Sequence, residues 1–192
     1  MDRFDELLRT DVSGLSVKQN RIAHIHLTED QACVLDTDGI LDGTALTDEV
    51  QVITEFLNPM PFARNVTIVA SGATATGAKA LIEGTNMADK PISEELTLNG
   101  ATPVVGAKAF KTIKAITLPI AEATETVDVG WGDKLGLPFM LNGKPLAFAL
   151  QDGTFESNAP ALTVDDDEVE KNTIDLNSAL HSEKAVDIYI IL

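Results

Sequence analysis

His24 and His26 stand two residues apart in IAHIHL (22–27). On a strand they would project from one face and could offer two imidazoles to a metal ion. Two ligands do not complete a site, and no neighbouring cysteine or H-x-x-E pattern supplies the rest. An exposed polar strand face is the plainer expectation. DTDGILDG (36–43) gathers carboxylates and glycines as a calcium loop does, yet Gly39 comes too early for the D-x-[DN]-x-[DN]-G order. Two Asp-Gly turns are expected there instead. DDDEVE (165–170) is a like-charge run and reads as a solvated loop. His181, in NSALHSE, is expected on a surface loop.

The most tempting chemistry lies in RNVTIVASGATATGAKALIEG (64–84), where a β-branched run leads into Gly72, Gly77 and Lys79. A phosphate-binding loop requires G-x-x-x-x-G-K-[ST]: the lysine directly after the second glycine, then a hydroxyl for magnesium. Gly72 and Gly77 have the right separation, but Ala78 precedes Lys79 and Ala80 stands where Ser or Thr is needed. The residues beyond Lys79 have strand and turn character, with Gly84 and Pro91 among them, so no helix N-terminus waits to hold a phosphate. SGATATG is therefore expected to be a small-residue hairpin connection. No G-x-S-x-G elbow occurs, and the three histidines sit in no triad context. No cofactor, metal or catalytic residue is expected, and the enzyme reading receives no positive support.

The elements that would position these residues are extended ones. IAHIHL, VQVITEFL (50–57), NVTIVA (65–70), AKALIEG (78–84) and ISEELTL (92–98) are short runs, mostly alternating with period two. In FKTIKAITLP (110–119), Ile113 is out of phase with Ile116 and Leu118, which implies a bulge or a two-sided strand. Pro119 ends that run. TVDVGW, LPFML, PLAFAL, NTIDL and AVDIYIIL continue the series. DIYIIL is apolar on both faces and is expected to be central or covered. Asn99-Gly100, Asn142-Gly143 and Asp152-Gly153 offer the positive φ angles of two-residue type I′ turns. Trp131 between glycines is expected to be a core or sheet-covering residue. Many short strands at close spacing predict an all-β protein, a sandwich or barrel. The exception is DRFDELLR, where Phe4, Leu7 and Leu8 at i, i+3, i+4 predict a short N-terminal helix. Two turns are unstable alone in water, so that arm must dock on something.

Composition sets the outer limits. The 192 residues suffice for one sizeable domain or two small lobes with an arm. Single Cys33 rules out an internal disulfide framework and reads as a small buried apolar residue. Thirty acidic against 14 basic residues give a formal charge of −16. Such a surface repels phosphate backbones, so no nucleic-acid partner is expected. The opening MDRFDELLRTD lacks the apolar stretch of a secretion signal, and no run of about 18 apolar residues occurs. No membrane partner is expected.

FARNVTI (62–68), IEGTN (82–86), ISEELTLNG (92–100), KAFKTIKAITLP (108–119) and VGWGDKLGLP (129–138) together resemble a family of tailed-bacteriophage virion structural proteins. The ending, NTIDLNSAL and KAVDIYIIL, resembles that family's closing strand. The resemblance covers most of residues 50–192. It implies an antiparallel β-sandwich of immunoglobulin-like character over 21–192, preceded by an arm over 1–20. That region is one sandwich or two lobes, with 62–141 an immunoglobulin-like lobe. It further implies a noncatalytic capsid decoration, or cement, protein on the virion surface, made in the host cytoplasm. Its partners would be the major capsid protein or other virion proteins and further copies of itself, a trimer for example. Phe4, Leu7 and Leu8 are the expected anchors of the arm. The same fold could serve a tail, neck or fibre component. A carbohydrate- or surface-recognition module is the third class, but it wants an exposed aromatic platform, and 5% aromatic residues supply few candidates.

Overall fold

The computed structural model describes residues 21–121, 125–141 and 143–192, together with the backbone of two short strands near the N-terminus. Those two are β1 (Leu7–Arg9) and β2 (Ser16–Lys18), which pair antiparallel with Leu8 opposite Val17. Then come β3 (Ile22–Leu27), β4 (Asp36–Ala45), β5 (Gln51–Ile53), β6 (Arg64–Ala70), β7 (Lys79–Thr85), β8 (Pro91–Thr97) and β9 (Val104–Phe110). The chain continues with β10 (Thr112–Leu118), β11 (Thr126–Gly136), β12 (Ala147–Gln151), β13 (Thr154–Phe155) and β14 (Ala161–Thr163). A 3₁₀ turn (Val169–Lys171), β15 (Thr173–Asp175) and β16 (Val186–Ile191) complete it. The protein is all-β, built of several antiparallel sheets.

The helix expected at the N-terminus is corrected where the structure describes it, because Leu7 and Leu8 lie on a paired strand. Eight residues form too few i→i−4 bonds to offset helix nucleation, whereas pairing with a second segment satisfies the backbone across a ladder. Phe4 lies outside the described residues.

Two hydrophobic cores organise the rest. The first fills the space between a four-stranded sheet, ordered β5-β10-β7-β8, and a larger sheet in which β4 and β6 flank β11. Ile82, Leu96, Ile116 and Leu118 come from one side, and Val66, Ile68, Val127 and Val129 from the other. Trp131 is buried here, and its indole N–H donates to the Val34 carbonyl at 3.1 Å. The second core lies under the sheet β13-β12-β16-β3, where Leu27, Ala147, Ala149, Val186, Ile188 and Ile190 meet Leu135 and Ile174 of β11 and β15. Strand β11 therefore serves both cores, with Val127 to Trp131 in the first and Leu135 in the second.

Several local expectations hold. Strand β16 is central, between β12 and β3. The out-of-phase Ile113 marks a bulge: Ile113 faces Gly84 while Ala115 already faces Glu83. Asp152 and Gly153 have φ of 49° and 73° and join β12 to β13 with Gln151 opposite Thr154, a two-residue turn with both residues left-handed.

Others do not hold. Asn99-Gly100 does not close a hairpin, because β8 pairs with β7 while β9 pairs with β6 in the other sheet. Residue 142 lies outside the described residues, and LPFML forms no strand. The stretch 36–43 is not a pair of turns but most of β4, which absorbs its extra residues as register shifts against β11. Gly39 is needed there for space, since a Cβ would lie 2.6 Å from the Trp131 ring.

Candidate functional site

The glycine-containing loop after β6 does bind an anion, but an internal one. It is a crossover between sheets rather than a hairpin, since β6 and β7 belong to different sheets. Its backbone amides at Thr74 and Ala75 donate to the two carboxylate oxygens of Glu125 at 2.7 and 2.8 Å. Hydrogen bonding from Thr74, then from the Ala75 amide, holds the Glu125 carboxyl below the ordinary range against the opposing effect of burial. Gly72 makes room, because a Cβ there would run into Glu125 Oε1. Successive backbone N–H groups form an anion-binding concavity, and Glu125 fills it. Lys79, the displaced lysine of the phosphate-loop pattern, instead pairs with Glu95 at 2.5 Å on the neighbouring strand β8.

The acidic run 165–170 is more organised than a solvated loop. Asp165 accepts from the Glu168 and Asp167 amides at 2.7 and 3.0 Å, which lowers its pKa. Glu168 binds Lys108 of β9 at 2.6 Å and also Lys171; both ammonium groups hold its carboxyl low. The carboxylates thus tie this loop to β9. Cys33 is half-buried at the edge of the first core rather than within it. Its carbonyl accepts from fully buried Arg64 at 2.8 Å. Arg64 Nη2 stands 3.7 Å from Asp133 Oδ1, at the point where β11 passes from one core to the other. Burial lowers the Arg64 pKa and raises that of Asp133, the latter opposed by Arg64 itself.

The outward face of the sheet β13-β12-β16-β3 is the feature best suited to contact another molecule. The inward residues of its strands are in the second core, so the alternate residues point away from it. Phe148, Tyr189 and His24 lie opposite one another across three strands. Their rings stack, His24 on Tyr189 at 4.4 Å and 2°, and Tyr189 on Phe148 at 5.0 Å and 12°. Phe155 tilts against Phe148 at 5.9 Å. In the next row, Asp187 Oδ1 meets His24 Nε2 at 2.7 Å and His26 Nδ1 at 2.9 Å. Hydrogen bonds from His24 and then His26 lower the Asp187 pKa. The two histidines are thus exposed, as expected, and share one carboxylate oxygen. Ring faces that cover each other leave mainly edges to solvent, which suits a flat apolar partner better than a sugar ring needing an open face.

Sequence reading passes over this face, though a signal for it is present. In PLAFAL the inward positions are the small Ala147 and Ala149, and the outward ones are the large Leu146, Phe148 and Leu150. Large side chains outside and small ones inside invert the usual strand pattern. Of the expected anchors, Leu7 and Leu8 are placed on β1, where only their backbone is described.

Among the described residues, no group of three His, Cys, Asp or Glu is placed to hold a metal ion, and no helix is long and apolar enough to cross a membrane. His181 is exposed and lies outside the strands. No protein-family model, no curated protein and no solved structure matches the chain.

Proposed function

We propose that this chain is a noncatalytic structural protein of a tailed-bacteriophage virion, which adheres to the capsid lattice and stabilises the head. One observation carries the reading: the carboxylates and histidines named below are engaged structurally, while large apolar side chains stand in solvent, three of them grouped at each of two places. Glu125 is held by its loop, His24 and His26 by Asp187, and Glu168 by two lysines. Ile22, Leu146 and Phe155 are more than half exposed around one sheet face, and Val50, Val52 and Ile120 at and beside strand β5. Strand β5 is an edge of its sheet. Exposed apolar groups on an open edge favour attachment to another chain.

A lattice binder works by burying surface across subunit boundaries, and about 1,200–2,000 Å² per copy suffices for a specific contact. Engagement of two capsomers at once multiplies the hold through effective concentration. The immunoglobulin-like character implied by the resemblance belongs to this proposal, and the first core is the lobe that would carry it. Phe4, Leu7 and Leu8 are the proposed anchors of the arm, with the major capsid protein as partner. The test is copy number in purified particles. A head decoration is present in hundreds of copies, whereas tens or fewer would assign the chain to a tail, neck or fibre.

A further inference from the structure

We infer that the outward face of the sheet β13-β12-β16-β3 is the interface of a homodimer, in which a second copy lays the same face against it about a two-fold axis. This goes beyond the lattice reading and does not rest on it: a second copy takes this face, and the lattice is left the exposed apolar groups at strand β5 and the arm. The face is a grid of paired side chains. Ile22 stands opposite Ile191, and the Ile191 amide bonds the Leu146 carbonyl, so these three form one apolar row. Phe148, Tyr189 and His24 form the second row, and Leu150, Asp187 and His26 the third, with Phe155 beside Leu150.

Charge selects the occupant. The protein carries −16 overall, yet among the described residues the only carboxylate at an outward strand position of this sheet is Asp187, which two histidines engage. Among the same residues, no lysine or arginine occupies an outward strand position here. A nucleic acid or an anionic membrane would find no lysine or arginine on these strands to bind. A strongly basic partner would find a single, already engaged acid. The face complements another apolar, nearly uncharged, flat sheet face, and each copy of this chain supplies one.

The area fits as well. Ile22, Leu146 and Phe155 are 61%, 63% and 66% exposed, and the half-buried Phe148, Leu150, Tyr189 and Ile191 fill the space between them. Together they present on the order of 500 Å² of apolar surface. Covering it on both copies removes about 1,000 Å², the size of a weak, reversible association, and a two-fold axis lets one patch serve both partners. Sheets packed face to face in this way stand about 10 Å apart.

The experiment is sedimentation velocity of the full chain from about 1 to 100 μM, at pH 7.5 and physiological salt. The wild-type protein is expected to pass from monomer to dimer across that range. Ile22→Glu and Phe155→Glu place carboxylates on exposed positions and should each weaken the dimer at least 10-fold. Val52→Glu, an equally exposed apolar position on β5, should leave it unchanged. Circular dichroism and thermal melting confirm that each variant is folded, and Phe155→Ala serves as a milder probe should a glutamate variant fail to fold. A monomer throughout, a trimer, or a dimer lost in Val52→Glu and kept in the face variants would each overturn the inference. Loss of capsid binding with the dimer intact would bear on the lattice reading alone.

Discussion

Gly72→Ala tests whether the phosphate-loop resemblance is explained by an internal carboxylate. The added methyl would run into Glu125 Oε1 and lie 3.0 Å from its Cδ and 3.3 Å from its Cγ. A free glutamate would swing aside at little cost. This one is tied at both oxygens by the Thr74 and Ala75 amides at 2.7 and 2.8 Å, so it can move only by giving up those bonds or by displacing the loop. Overpacking of this kind costs about 1–3 kcal/mol. In a Glu125→Ala background the obstructing atoms are gone, and the same Gly72→Ala change should cost less than about 0.5 kcal/mol, the scale of a neutral substitution. Urea unfolding of the four proteins of this double-mutant cycle gives the coupling directly. Equal costs of Gly72→Ala in both backgrounds would refute the cradle. So would phosphate or a nucleotide stabilising the wild-type protein at millimolar concentration, because an open anion site would then exist.

Three further outcomes are expected of the same structure. Leu135→Ala, fully buried where β11 enters the second core, should cost about 2–5 kcal/mol and lower Tm by several degrees, whereas Val52→Ala on the exposed edge should change stability by less than about 0.5 kcal/mol. Glu125, Asp165, Glu168 and Asp187 all have lowered pKa values, so their stabilisation is complete above the ordinary carboxylate value and is lost as pH falls through the folded-state values. Asp133, raised by burial, works in the opposite sense. The urea midpoint should therefore hold from pH 7 to about 5 and drop below about pH 4; a midpoint that rises on acidification would contradict the hydrogen-bond assignments. Deleting residues 1–12 should leave a folded protein that no longer binds capsids, and a truncated chain that binds normally would remove the arm from the proposal.

Much of the fold can be read because strand patterns are local. Alternation places β3, β6, β7 and β8, and the phase slip at Ile113 locates a bulge without knowledge of the partner strand. Turn chemistry succeeds at Asp152-Gly153, where both flanking strands belong to one sheet. It misleads at Asn99-Gly100, because a left-handed glycine, φ 57°, serves a crossover between sheets as well as a hairpin. Asp38-Gly39 and Asp42-Gly43 read as breaks, yet pairing with β11 holds them in a strand that bulges around them. Sheet membership is a long-range property that no short window contains. The Glu125 cradle is illegible for a related reason, since its ligands lie about fifty residues upstream of the carboxylate. The outward aromatic row, by contrast, is written in the alternation of PLAFAL and DIYIIL and needs only the question of which face is inward.

Heat challenge of virus particles with and without this protein measures the proposed adhesion to a pressurised head. Particles stripped of the chain are expected to release DNA at a lower temperature than complete ones, and re-adding the purified protein should restore their resistance. Identical release temperatures for stripped and complete particles would contradict the account.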